Sequence, residues 1–143
     1  MSIKRFEDIN AWQEARQLTK SIYELTELPG FNKDWGLSQQ VQRAAVSVMN
    51  NIAEGFDSAS KAEFIKFLSY ARRSASEVQC ALYVALDRAY INKSQFDGIY
   101  ERAEKTRRMV TAFMKYLKGA NAQRPNAPTN ALEREQRANA ITR

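Results

Sequence analysis

The feature that most limits the fold is a run of apolar residues at alternating four- and three-residue steps: Phe64, Leu68, Ala71, Ala75, Val78, Leu82, Ala85 and Ala89. On a helix of about 3.6 residues per turn this spacing keeps a single seam turned toward a neighbour. Small residues alternate with large ones along it, so a partner helix can approach closely. Just upstream, Ser60 and Glu63 stand three apart, the spacing of a capping box whose hydroxyl and carboxylate each satisfy a free backbone N–H. A long helix with one such seam must bury it against other helices, and the rest of the chain supplies them.

Ala11, Ala15, Leu18, Ile22 and Leu25 repeat the seam in a first helix, widened by Trp12 and Tyr23 and broken by Pro29-Gly30. Phe6 and Ile9 are expected to fold back on its start, with Asp8 or Asn10 as the N-cap. Phe31 and Trp35, in the link that follows, are large enough that both are expected to lid one end of the core. A second helix is predicted from Leu37 to Glu54, burying Leu37, Val41, Ala44, Ala45, Val48 and Ile52, with Gly55 taking a left-handed conformation just past its end. Asn92 opens a fourth helix after almost no loop, with Phe96, Ile99, Ala103, Thr106, Val110, Phe113 and Leu117 on its seam. Its acidic residues come early and its basic residues late, the order that complements a helix dipole.

Four amphipathic helices joined by three short links predict an all-α fold, an antiparallel up-down-up-down four-helix bundle over residues 1–119. Residues 120–143, rich in Pro and Asn and poor in large aliphatic side chains, read as a flexible C-terminal tail. The N-terminus has no apolar signal-peptide core, and no run of about 18 uncharged apolar residues could span a bilayer. A lone Cys80 can form no internal disulfide and reads as a small core or interface residue, so a cytoplasmic protein is expected, with no membrane partner.

With no histidine and one cysteine, the chain lacks the ligands of a usual zinc site, of the Glu-x-x-His di-iron bundles, and of the Ser-His-Asp and Cys-His nucleophile systems. No glycine-rich phosphate loop is present either. No cofactor, metal or catalytic residue is predicted. An enzyme without a cofactor, using Glu54 or Glu77 as acid or base, is the third reading.

Three other groups of residues define candidate surfaces. Arg43, Ser47, Asn51 and Glu54 form a polar stripe on the second helix. In one reading Arg43 joins a carboxylate such as Glu77 in a structural network that fixes register; in the other, Arg43 and the amides grip a phosphate or a base edge. Val46, Met49 and Ala53, on another side of that helix, and Ile65, Tyr83 and Tyr90 on the third, are candidate subunit contacts or partly exposed flanks. Arg72, Arg73, Lys105, Arg107, Arg108 and Lys115 are candidate nucleic-acid contacts. The net charge of +6 is spread out, with 18 Lys/Arg against 14 Asp/Glu in residues 1–119. Within one subunit these cations read as a solvated face, but repetition around a ring would sum them into a larger positive field.

The run Gln42-Arg43-Ala44-Ala45, Ser47 and Asn51-Ile52-Ala53-Glu54-Gly55 resembles the signature of the bacterial 23S rRNA intervening-sequence proteins. Phe6-Glu7-Asp8, Trp12 and Ala15, then Glu63-Phe64, Phe67-Leu68, Ala71, Ser74 and Glu77, extend the resemblance over residues 6–117. It departs at Val48-Met49-Asn50, where the family pattern has Ile-Pro-Ser or similar. The resemblance implies an up-down-up-down bundle that assembles as a homopentamer. The related accessory proteins of diversity-generating retroelements bind nucleic acid and a reverse transcriptase. The expected function is therefore a self-assembling, non-enzymatic ring that binds RNA or DNA. The alternative is a helical adaptor recruiting a protein partner such as a polymerase.

Overall fold

A computed structural model describes residues 2–123 as four consecutive helices, α1 (Asn10–Leu25), α2 (Trp35–Asp57), α3 (Lys61–Asp87) and α4 (Lys93–Gln123). Each packs on the next and α4 returns to α1, which closes a four-helix bundle. The seams read from the sequence are its interior. Leu18, Ile22, Val41, Val48, Ile52, Leu68, Val78, Leu82 and Val110 lose all or nearly all contact with water. Each such side chain contributes about 1.5–3 kcal/mol through burial. They form two clusters. An upper one lies at the end of the α1–α2 and α3–α4 links, and a lower one at the end of the α2–α3 link.

Ends of helices differ from expectation more than middles do. Neither Asp8 nor Asn10 caps α1: Asp8 instead accepts from the Lys4 and Arg5 N–H groups at 2.9 and 3.2 Å and closes the preceding turn, Phe6–Asp8. Ile9 is buried, and Phe6 meets Trp12 edge-on at 5.0 Å, as the fold-back predicts. α1 ends at Leu25, before Leu28, and Gly30 turns the chain with φ of 89°. Any side chain there would face both that backbone strain and Tyr90, 3.3 Å from a Cβ.

Asp34 caps α2, accepting from the Leu37 N–H at 3.1 Å, so the helix starts two residues earlier than Leu37. Gly55 is inside α2 and has no left-handed backbone; the helix runs on to Asp57. The reason for glycine is space, since a Cβ there would lie 2.7 Å from the Phe64 ring and 3.1 Å from Phe67 Cβ. Ser60 caps α3 as predicted, accepting from the Glu63 N–H at 3.1 Å, while the Glu63 carboxylate reaches the Ala59 N–H at 3.3 Å.

Ala89 leaves the α3 seam. It is exposed, with φ of 61°, and the Tyr90 N–H donates to the Ala85 carbonyl and the Ala89 N–H to that of Leu86. This hydrogen-bonded stop puts a non-glycine residue in the left-handed region, a modest strain. Asn92 and Gln95 cap α4 reciprocally, both bonds 2.8 Å. α4 then continues past Gly119 to Gln123. The tail is expected from residue 120, but residues 120–123 still belong to α4; the rest of it, residues 124–143, lies outside the described residues. Among those described, no helix is long and apolar enough to cross a membrane.

Candidate functional site

The polar stripe of α2 divides into a bonded part and a free part. Ser47 Oγ lies 2.8 Å from Ser74 Oγ of α3, and the Asn51 amide donates to the Ser47 carbonyl at 2.8 Å and to its hydroxyl at 3.0 Å. The Ser47–Ser74 contact ties α2 to α3, and Asn51 buttresses Ser47 from within α2. Arg43, Glu54 and Glu77 are exposed, and no hydrogen bond or ion pair holds any of them among the described residues. The predicted Arg43–Glu77 pair is not formed, although Arg43, on a ridge of α2, and Glu77 line one concavity. Two shallow concavities meet at that ridge. One, of about 360 Å³, runs from Gly36 along Gln40, Arg43 and Ser47 to Glu77. The other, of about 680 Å³, includes Tyr23, Val46, Asn50 and Glu54.

The partly buried polar contact between α3 and α4 is one that sequence reasoning missed. Gln79 donates to Glu104 at 3.0 Å, and Arg107 Nη1 reaches the same carboxylate oxygen at 3.0 Å. The Gln79 amide, more than offsetting the cost of partial burial, and then Arg107 hold the Glu104 carboxyl below the usual carboxylate range. Arg107 Nε is buried without an acceptor among the described residues, which offsets part of the gain.

The six candidate nucleic-acid cations do not gather into one patch. Arg107 is spent on Glu104, and Arg108 reaches Glu101 at 2.8 Å. Lys105 lies 3.6 Å from Glu14, which also binds Arg102 at 3.2 Å. Arg72 donates to the Thr111 hydroxyl at 3.2 Å, while Arg73 lies over the Tyr70 ring on another flank of α3. Lys115 is exposed near the far end of α4.

The candidate contact residues are also split. Val46, Met49 and Ala53 are half-buried on the α1-facing flank of α2, and Met49 and Ile65 pack on the lower core. Tyr90 is used within the chain: its ring stacks on Phe31 at 5.4 Å and its hydroxyl donates to Asp34 at 2.9 Å. Phe31 and Tyr90 thus form the lid that was expected of Phe31 and Trp35. Tyr83 is 51% exposed although it meets Phe96 at 4.9 Å, and Val84 beside it is 46% exposed. Trp35, no lid at all, is 74% exposed, and Tyr23 is 45% exposed. The signal was present in the spacing. Trp35 precedes Leu37 by two residues, which turns it roughly 200° away from the buried seam. Cys80 is exposed on α3 and not in the core.

The model of the 23S rRNA-intervening sequence protein family matches residues 7–112. The chain belongs to that family. A solved structure from Bacteroides thetaiotaomicron, a protein of unknown function from the S23 ribosomal protein family, is similar to it at 24% identity and a TM-score of 0.69. The match covers 73% of this chain and 98% of that one, and at this identity it speaks for the fold. No curated protein matches the chain. The matched residues include the signature on α2, and α2 runs without a break from Trp35 to Asp57 through Val48-Met49-Asn50, where the sequence departs from the pattern it resembles.

Proposed function

We propose that this member of the 23S rRNA-intervening sequence protein family is a cytoplasmic, non-enzymatic bundle that assembles into a homopentameric ring and holds RNA or DNA on its summed positive charge. The observation that carries the reading is the apolar surface left outside the bundle, above all Trp35 at 74% exposure with Tyr23, Tyr83 and Val84. A bundle that buries its seams so fully gains nothing from wetting an indole, and aromatic residues of this kind are enriched at protein contacts. Most candidate cations of a single subunit are already engaged by carboxylates or hydroxyls, so the +6 net charge acts as a diffuse field that grows with subunit number. Glu54 and Glu77 have no hydrogen-bond or ion-pair partner among the described residues, and the reading assigns them no reaction.

The same exposed apolar surface favours one second reading, an adaptor for a protein partner such as a polymerase. Mass in solution, followed by binding of mixed RNA and DNA at two salt concentrations, tests both. The ring reading expects the mass of five 16.4 kDa chains and nucleic-acid affinity that falls steeply with salt. A monomer at micromolar concentration overturns the ring. Assembly without salt-sensitive binding favours the adaptor, whose apolar contact is insensitive to screening.

A further inference from the structure

Resting on the self-assembly reading, we infer that the contact between copies is heterologous: the face carrying Trp35 and Tyr23 in one copy covers the face carrying Val84, Tyr83 and Cys80 in the next. The exposed large apolar side chains of the upper half fall into two groups that no single flat contact can cover. Tyr23 and Trp35 belong to α1 and α2, whereas Cys80, Tyr83 and Val84 are on α3, which lies diagonally across the bundle from α1. A two-fold contact uses the same patch on both copies and would leave the other group wet. A head-to-tail contact covers both, and it closes into a ring when the rotation permits.

Height and charge favour a second copy as the occupant. Tyr23 is in the last turn of α1, Trp35 opens α2, and Tyr83 and Val84 lie in the last turn or so of α3, so all four are at the same end of the bundle. Copies standing side by side, related by rotation about an axis parallel to the helices, therefore bring one group level with the other. The free charges are also opposed in sign. Around Tyr23 and Trp35, the four cations Arg16, Lys20, Lys33 and Arg43 outnumber the three carboxylates Glu24, Glu27 and Asp34; around Val84, Glu77 and Asp87 outnumber Arg88. None of these ten has an ion-pair partner among the described residues.

The full-length chain and two variants at exposed positions, Trp35→Ser and Val84→Glu, test the assignment. Each is weighed in solution after circular dichroism has shown native helix content, and Cys80 is titrated with an aromatic disulfide reagent. The wild type is expected to assemble with Cys80 reacting at least tenfold more slowly than in either variant. Each variant alone is expected to be monomeric, and the two mixed to stop at a one-to-one dimer, because each retains one intact face. A monomeric wild type overturns both the ring and this assignment. An assembled wild type whose Cys80 reacts at the rate of the monomeric variants overturns the face assignment alone. So does either variant keeping the wild-type mass, or a mixture that forms no dimer.

Discussion

The two halves of the bundle place their aromatic residues differently. In the lower half they close the end of the bundle on itself: Phe56 meets Phe64 at 6.4 Å, Phe64 meets Phe113 at 5.4 Å, and Phe6 meets Trp12 at 5.0 Å. In the upper half, Phe31 and Tyr90 do that work, while Trp35, Tyr23 and Tyr83 stay largely outside. The lower half is finished by its own chain except at Tyr116 on α4, which lies beside Phe113 and is 52% exposed. The upper half has a complete core and an unfinished outside, which is where a partner has something to cover.

Removing the ring that joins two others, Phe56 and Phe113, should hurt most. Phe64→Ala is expected to cost about 3–5 kcal/mol in denaturant unfolding, and Leu82→Ala, in the aliphatic upper core, about 2–5 kcal/mol. Both are to be read at one protein concentration, since assembly adds to apparent stability. A Phe64→Ala cost under about 1 kcal/mol would mean that the lower aromatic chain is ornamental. Gly55→Ala tests the closeness of the same region from the opposite direction: its Cβ would press on Phe64, and a loss of about 1–3 kcal/mol is expected. Were Gly55 a simple helix stop in an α-helical conformation, alanine would instead stabilise.

At the upper end, Asp34→Ala removes both the α2 cap and the acceptor for Tyr90, and should cost about 0.5–2 kcal/mol in thermal or denaturant melts. Trp35→Ser should change monomer stability least, by less than about 0.5 kcal/mol, because nothing packs closely on a side chain so exposed. A large loss there would erase the contrast between the halves.

The smallest expected effect is on pH dependence. Because Glu104 titrates lower in the folded chain than in the unfolded one, where a glutamate titrates at about 4.3, its contribution is complete above that value. The contribution is lost as pH falls through the folded value. Glu104→Gln should therefore flatten the stability profile between neutral and acidic pH, as measured by urea midpoints at several pH values. An unchanged slope would show that the Gln79–Glu104–Arg107 contact does not favour the ionised carboxylate.

What was legible in the sequence is what depends on angle around a single helix axis. The positions of Leu18, Ile22, Val41, Val48, Leu68 and Leu82 inside the bundle follow from spacing alone, as do the caps at Ser60 and Asn92. The candidate surfaces were less legible, because they depend on what lies across a gap. That Arg43 misses Glu77, that Arg72 finds Thr111, and that Gln79 holds Glu104 are matters of how two helices are rotated against each other, which no run of residues records. Gly55 shows the limit most plainly. As a letter in the chain it reads as the end of a helix, and only the approach of Phe64 from α3 reveals that it is there for want of room. Periodicity is a property of one strand of polymer and determined the bundle; register and rotation are properties of pairs, and the packed structure decided them.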